Sequence, residues 1–108
     1  MMPTDAIADL AVAHNQLGNI HSNAGDLDRA LHHWREAIRF EEAAQQPYGA
    51  AQSRYNVALA LARAGRLADA RQYADAALRD FQTYGAGTAQ DVEDTLDLIA
   101  EIAKAATA

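Results

Sequence analysis

The stretch from Leu17 to Phe40, LGNIHSNAGDLDRALHHWREAIRF, limits the possible folds more than any other part of the chain. Leu17-Gly18 and His21, then Gly25-Asp26, then Ala30, Trp34 and Ala37 place small and large residues in the order that two antiparallel helices need for close packing. Gly25-Asp26 predicts a tight turn, because glycine adopts the left-handed conformation at a helix end at little cost and aspartate accepts from the amides that open the next helix. Leu27, Ala30, Leu31, Trp34, Ala37 and Ile38 then recur at three- and four-residue steps, the stripe of a helix packed on one side. Forty residues later the pattern returns. Gly65, Leu67, Ala70, Ala77 and Leu78 echo Gly25, Leu27, Ala30, Ala37 and Ile38, while Val57-Ala58 echo Leu17-Gly18. The copy is looser at one point, since Trp34 corresponds to Ala74 and the nearby bulky residues are Tyr73 and Phe81.

The remaining segments extend this repeat. A first helix is expected from Thr4, with Thr4 as N-cap, Asp5 in its first turn, and Ile7, Leu10, Ala13, His14, Leu17, Ile20 and His21 on its packed face. Gln46-Pro47 separates the copies, and Pro47 suits the first turn of a third helix carrying Tyr48, Ala51, Tyr55, Val57, Ala58 and Leu61. A fourth helix spans about Leu67 to Tyr84 and ends at Gly85-Ala86-Gly87. Thr88, with Asp91 three residues on, predicts a capping box for a fifth helix. Its expected stripe is Val92, Leu96, Ile99, Ile102 and Ala103, with Leu98 off the stripe, acidic Glu93, Asp94, Asp97 and Glu101 elsewhere, and fraying from Ala105. The expectation is an all-α chain of five helices in one domain over residues 1–108: a first repeat over 4–44, a second over 47–84 and a terminal helix over 88–106.

Composition narrows the function. Half the residues are hydrophobic, but alanine dominates and aromatics are few, which favours closely approaching helices over a sheet. At 108 residues there is room for one core. The absence of cysteine removes disulfides, thiolate chemistry and cysteine-ligated zinc. A net charge of −6 with scattered basic residues argues against nucleic acid or an anionic membrane as partner. With no apolar run of membrane-spanning length and no signal-peptide pattern, a soluble, cytoplasmic protein is expected.

Leu17-Gly18-x-x-His21 and Ala30-x-x-x-Trp34 resemble the L-G-x-x-Y and A-x-x-x-F patterns of the tetratricopeptide repeat. The likeness covers nearly the whole chain. Its period of forty exceeds the common thirty-four and is similar to the long-repeat arrays of bacterial signalling ATPases and transcriptional regulators. The resemblance implies a right-handed α-solenoid whose first helices line a concave groove for a partner peptide or helix. By slot, that groove would show Val12, Asn15, Asn19, Ser22 and Asn23 from the first helix, and Gln52, Tyr55, Asn56, Leu59 and Arg63 from the third. Gln90, Glu93, Asp97 and Glu101 would come from the fifth. The family favours Trp and Tyr where His14 and His21 stand, and Pro where Glu42 stands. A co-chaperone carboxylate clamp is disfavoured, because its basic slots hold Asn15, Gln90 and Asp94.

Chemistry is harder to find. His14 and His21 with His32-His33 invite a metal site, yet the first two fill aromatic slots and adjacent helical residues point apart, so these are read as partly buried packing residues. Asp26 is committed to capping, and there is neither a phosphate-binding glycine loop nor a nucleophile elbow, so neither catalysis nor a cofactor is expected. Asn19 and Asn56 offer both donor and acceptor, which suits recognition of a peptide main chain, although asparagine also serves packing and turns in these slots. Trp34 is read as core. The expected function is a protein-interaction scaffold. Its acidic fifth helix favours a partner segment carrying Lys or Arg, unless those carboxylates merely solvate an exposed face. The alternative is a structural piece of a longer array, with self-association or neighbouring repeats covering open ends such as Ile7 and Leu10.

Overall fold

Glycine in the left-handed region and alanine at the helix crossings decide how the segments turn and pack. In the computed structural model, which describes residues 4–108 with the side chain of Thr4 excepted, they form five α-helices: α1 (Thr4–Asn23), α2 (Leu27–Ala43), α3 (Pro47–Arg63), α4 (Leu67–Tyr84) and α5 (Ala89–Ala106). There is no strand among the described residues, as the all-α expectation required. The expected Thr4 cap falls on a side chain outside the described residues. The chain divides into two compact units, Met1–Ser53 and Arg54–Ala108, with the division inside α3.

Equivalent turns close α1 and α3. Gly25 has φ +82° and Gly65 φ +79°. Each donates to the carbonyl three residues back, Ser22 and Ala62, and the next residue donates to His21 and Leu61 respectively. This pattern satisfies the last carbonyls of both helices. The two turns differ on their far side. Asp26 accepts from the Arg29 amide at 3.1 Å and caps α2, whereas Arg66, at the start of α4, makes no side-chain cap and instead pairs with Asp69. α2 ends by the same bond pattern, with Gln45 in the left-handed position at φ +56°. A non-glycine residue there costs about 1–2 kcal/mol, and nothing in the sequence signals it.

In the first unit Ala30, Leu31, Trp34, Ala37 and Ile38 of α2 are buried as expected. On α1 the packed line is rotated from the expected one. Ala11 and Gly18 are buried, while Leu17 and Ile20 are 39% and 60% exposed and Ala13 is also exposed. The reason is steric: a Cβ on Gly18 would run into Trp34, so the helices meet along their smallest residues and the large aliphatic ones turn outward.

In the second unit Val57, Ala58 and Leu61 of α3 and Ala70, Ala74, Ala77 and Phe81 of α4 are buried in the core. Of the two bulky residues expected near Ala74, Phe81 is buried and Tyr73 is half-buried. Two expectations fail here. The Thr88 hydroxyl makes no capping box; it donates to the carbonyls of Phe81 at 3.0 Å and Gly85 at 3.1 Å, closing α4 rather than opening α5. The α5 stripe is also displaced, with Thr95, Leu98 and Ile102 buried and Leu96 48% exposed. Thr95 donates to the Asp91 carbonyl at 2.7 Å, which satisfies its hydroxyl within the helix and lets it pack like an apolar residue.

Candidate functional site

Residues four apart share a helix face, so Tyr55, Leu59 and Arg63 form one line along α3, and Asp94, Leu98 and Ile102, with Asp97 and Glu101 beside them, form another along α5. The turn at Gly65 brings Leu67, the first residue of α4, back beside the end of α3. Together these elements line an open cavity of about 300 Å³ bordered by Leu59, Ala62, Arg63, Leu67, Leu98, Glu101, Ile102 and Ala105. Its wall is aliphatic apart from two charged side chains, Arg63 and Glu101. Such a space accepts an apolar group, and the two charges are placed to orient it.

Tyr55 reports the electrostatics of the same surface. Its phenol is pushed above the ordinary value of 10.0, first by burial and then by the negative charge of Asp94 and Glu101; Arg63 opposes the shift and Asp97 adds to it. Arg63, Asp97 and Glu101, all expected from the sequence, therefore act on Tyr55, and carboxylates outnumber the one guanidinium among the groups that do. Asp94 was expected as an acidic face residue in a slot where a carboxylate clamp would need a basic one. It accepts from Gln90 Nε2 at 2.9 Å. Asn56 and Glu93 are exposed. No interaction joins them to this cavity among those described.

In the first unit two of the expected asparagines are partly engaged inside. Asn15 Nδ2 lies 3.3 Å from Ser53 Oγ, and Asn19 Oδ1 accepts from Trp34 Nε1 at 3.3 Å. Asn19, Asn23 and Gln52 are exposed. The sequence reading overlooked Leu67 and Leu98 as lining residues. It also missed buried Glu41, whose three-residue spacing from Ile38 on the packed line with Trp34 was a legible signal.

Among the described residues no group of three or more His, Cys, Asp or Glu is arranged to hold a metal ion, and no helix is long and apolar enough to cross a membrane. A family model described as tetratricopeptide repeat matches residues 11–44, and a second model with the same description matches residues 50–83. No curated protein and no solved structure matches the chain.

Proposed function

Since the chain belongs to the tetratricopeptide repeat family, whose repeats generally mediate protein–protein interaction, we propose that it is a non-catalytic binding module whose second unit holds a segment of a partner protein against α3 and α5. The observation that carries this reading is the aliphatic cavity between Leu59 and Ile102, edged by Arg63 and Glu101 and flanked by Asp94 and Asp97. An apolar side chain of the partner fills it, and a neighbouring Lys or Arg meets the carboxylates, which speeds encounter and rejects acidic segments. Exposed Asn19, Asn23 and Asn56 supply paired donor and acceptor groups for main-chain contact on their own helices.

Selection from a random displayed-peptide library tests this. The enriched sequences are expected to place Leu, Ile, Met or Phe next to Lys or Arg. Asp97→Lys combined with Glu101→Lys is expected to weaken the selected peptide about tenfold, or 1.4 kcal/mol. Enrichment of acidic peptides, or undiminished binding by the double variant, contradicts the reading.

One observation favours a second role. Val12, Leu17 and Ile20 of α1 are 56%, 39% and 60% exposed, an apolar outer surface of the kind neighbouring repeats or a second copy would cover. Sedimentation velocity would then show concentration-dependent association that Ile20→Lys abolishes; a monomer at all concentrations rejects it.

A further inference from the structure

Arg63 differs from its neighbours in having its charge unspent. Arg54 is held by Asp80 at 2.7 Å, Arg66 by Asp69 at 2.8 Å and Arg71 by Asp75 at 2.9 Å. Arg63 and Glu101 carry opposite charges and line one cavity, yet among the described residues neither makes a hydrogen bond or an ion pair. Asp97 and the Tyr55 hydroxyl likewise make no hydrogen bond among the described residues. Arg63 is exposed at the cavity mouth, over a floor made by Leu59, Leu98 and Ile102. A planar guanidinium in that position, with all its donors free, matches the two oxygens of a carboxylate.

The charges on this face also have an order. The cavity is lined by the second halves of both α3 and α5, whereas Tyr55, a turn before Leu59, feels Asp94, a turn before Leu98. The two helices therefore run the same way past the cavity, with Asp94 and Asp97 toward its Tyr55 end and Arg63 at the other. Resting on the reading that the second unit holds a partner segment, we propose that this face selects an ordered triplet in that segment: a Lys or Arg against Asp94 and Asp97 beside Tyr55, an aliphatic side chain in the cavity, and a carboxylate on Arg63. Charge complementarity favours this occupant over a purely basic one, which would leave Arg63 facing like charge, and over an acidic one, which would meet three carboxylates. The eight residues from Tyr55 to Arg63 span about 12 Å of helix. An extended segment covers that length in roughly four residues, so its cation and carboxylate stand about three to five positions apart with the aliphatic residue between them. The carboxylate is either an Asp or Glu side chain or the partner's own C-terminus.

Two random peptide libraries panned on the whole chain test the order, one displayed with a free C-terminus and one with its C-terminus fused to the carrier. Enriched sequences are expected to carry the cation, the aliphatic residue and the carboxylate at that spacing. Asp or Glu in both libraries identifies a side chain as the anion, and enrichment from the free-ended library alone identifies the C-terminus. Arg63→Glu is expected to weaken the best peptide about tenfold, and to bind better than wild type the counterpart in which lysine replaces the acidic residue, or an amide the terminal carboxylate. That gain cannot come from a misfolded variant. Peptides with an aliphatic residue and a cation but no carboxylate, bound equally by wild type and Arg63→Glu, overturn the ordered triplet and leave the binding module standing. Loss of both peptides alike in Arg63→Glu also overturns it, and no enrichment from either library overturns both readings.

Discussion

Replacing Gly18 with leucine is expected to destabilise the first hairpin by about 3 kcal/mol, at the upper end of what overpacking a tight helix crossing usually costs. The cause is specific. A Cβ at Gly18 would overlap Cδ1 and Nε1 of the Trp34 indole and lie 2.9 Å from its Cε2. Trp34 is only 4% exposed and has little room to retreat. Moving the indole would also break its hydrogen bond to Asn19 Oδ1. Against a total stability of about 5–15 kcal/mol the loss is large, and the melting temperature should fall by roughly 12 °C or more. Trp34→Ala alone should cost about 3–5 kcal/mol through the cavity it leaves. The double variant is the sharper test, because the new side chain would occupy that cavity and the combined loss should be well below the sum. Strict additivity in a denaturation-based double-mutant cycle would show that the two positions do not meet.

The same crossing shows what was legible in the sequence. Gly25, Gly65 and Asp26 announced the turns because each has one strong local reason to be there: a positive φ in two cases, a capped amide in the third. The faces of α1 and α5 were harder. Scoring a face by the largest apolar residues put Leu17, Ile20 and Leu96 inside, while the packed lines are set by Gly18 and Ala11 on one helix and by Thr95 and Leu98 on the other. Size is a poor guide where backbones come close, and a threonine that bonds its own helix is apolar to its neighbours. Thr88 misled for a related reason, since its hydroxyl had two nearer carbonyls to serve than an amide of α5. Within the cavity, Leu59, Arg63 and Glu101 were reachable from four-residue spacing and the family slots. Leu67 and Leu98 were not, because one belongs to the neighbouring helix and the other was assigned to the wrong side of α5.

Ser53→Ala is expected to cost about 2–3 kcal/mol, because it removes a hydroxyl bonded to a buried carboxylate. Ser53 Oγ lies 2.6 Å from Glu41 Oε1 and within 3.3–3.4 Å of both side-chain polar atoms of Asn15. A hydroxyl has one hydrogen, and the short contact to the carboxylate claims it, so Asn15 must donate from Nδ2 to Ser53. The chain of donation therefore runs from the Asn15 amide through the Ser53 hydroxyl to Glu41, linking α1, α3 and α2 within the first unit. Glu41 is 6% exposed and Ser53 3%. A carboxylate is tolerable at this depth because it sits at the N-terminal turn of α3, where the helix dipole favours negative charge, and because Gly49 leaves it space: a Cβ there would lie 2.6 Å from Oε2. Removing the hydroxyl deprives the charge of this donor and leaves Asn15 without the acceptor that holds its amide inward. Ser53→Thr, which keeps the hydroxyl, should lose much less. In the Ser53→Ala background, Glu41→Gln should cost less than it does alone, since a neutral amide suffers less than a carboxylate from a missing donor. Urea denaturation of the four variants checks this. Equal losses for Ser53→Ala and Ser53→Thr would show that side-chain volume at this position, rather than the relay to Glu41, holds the three helices together.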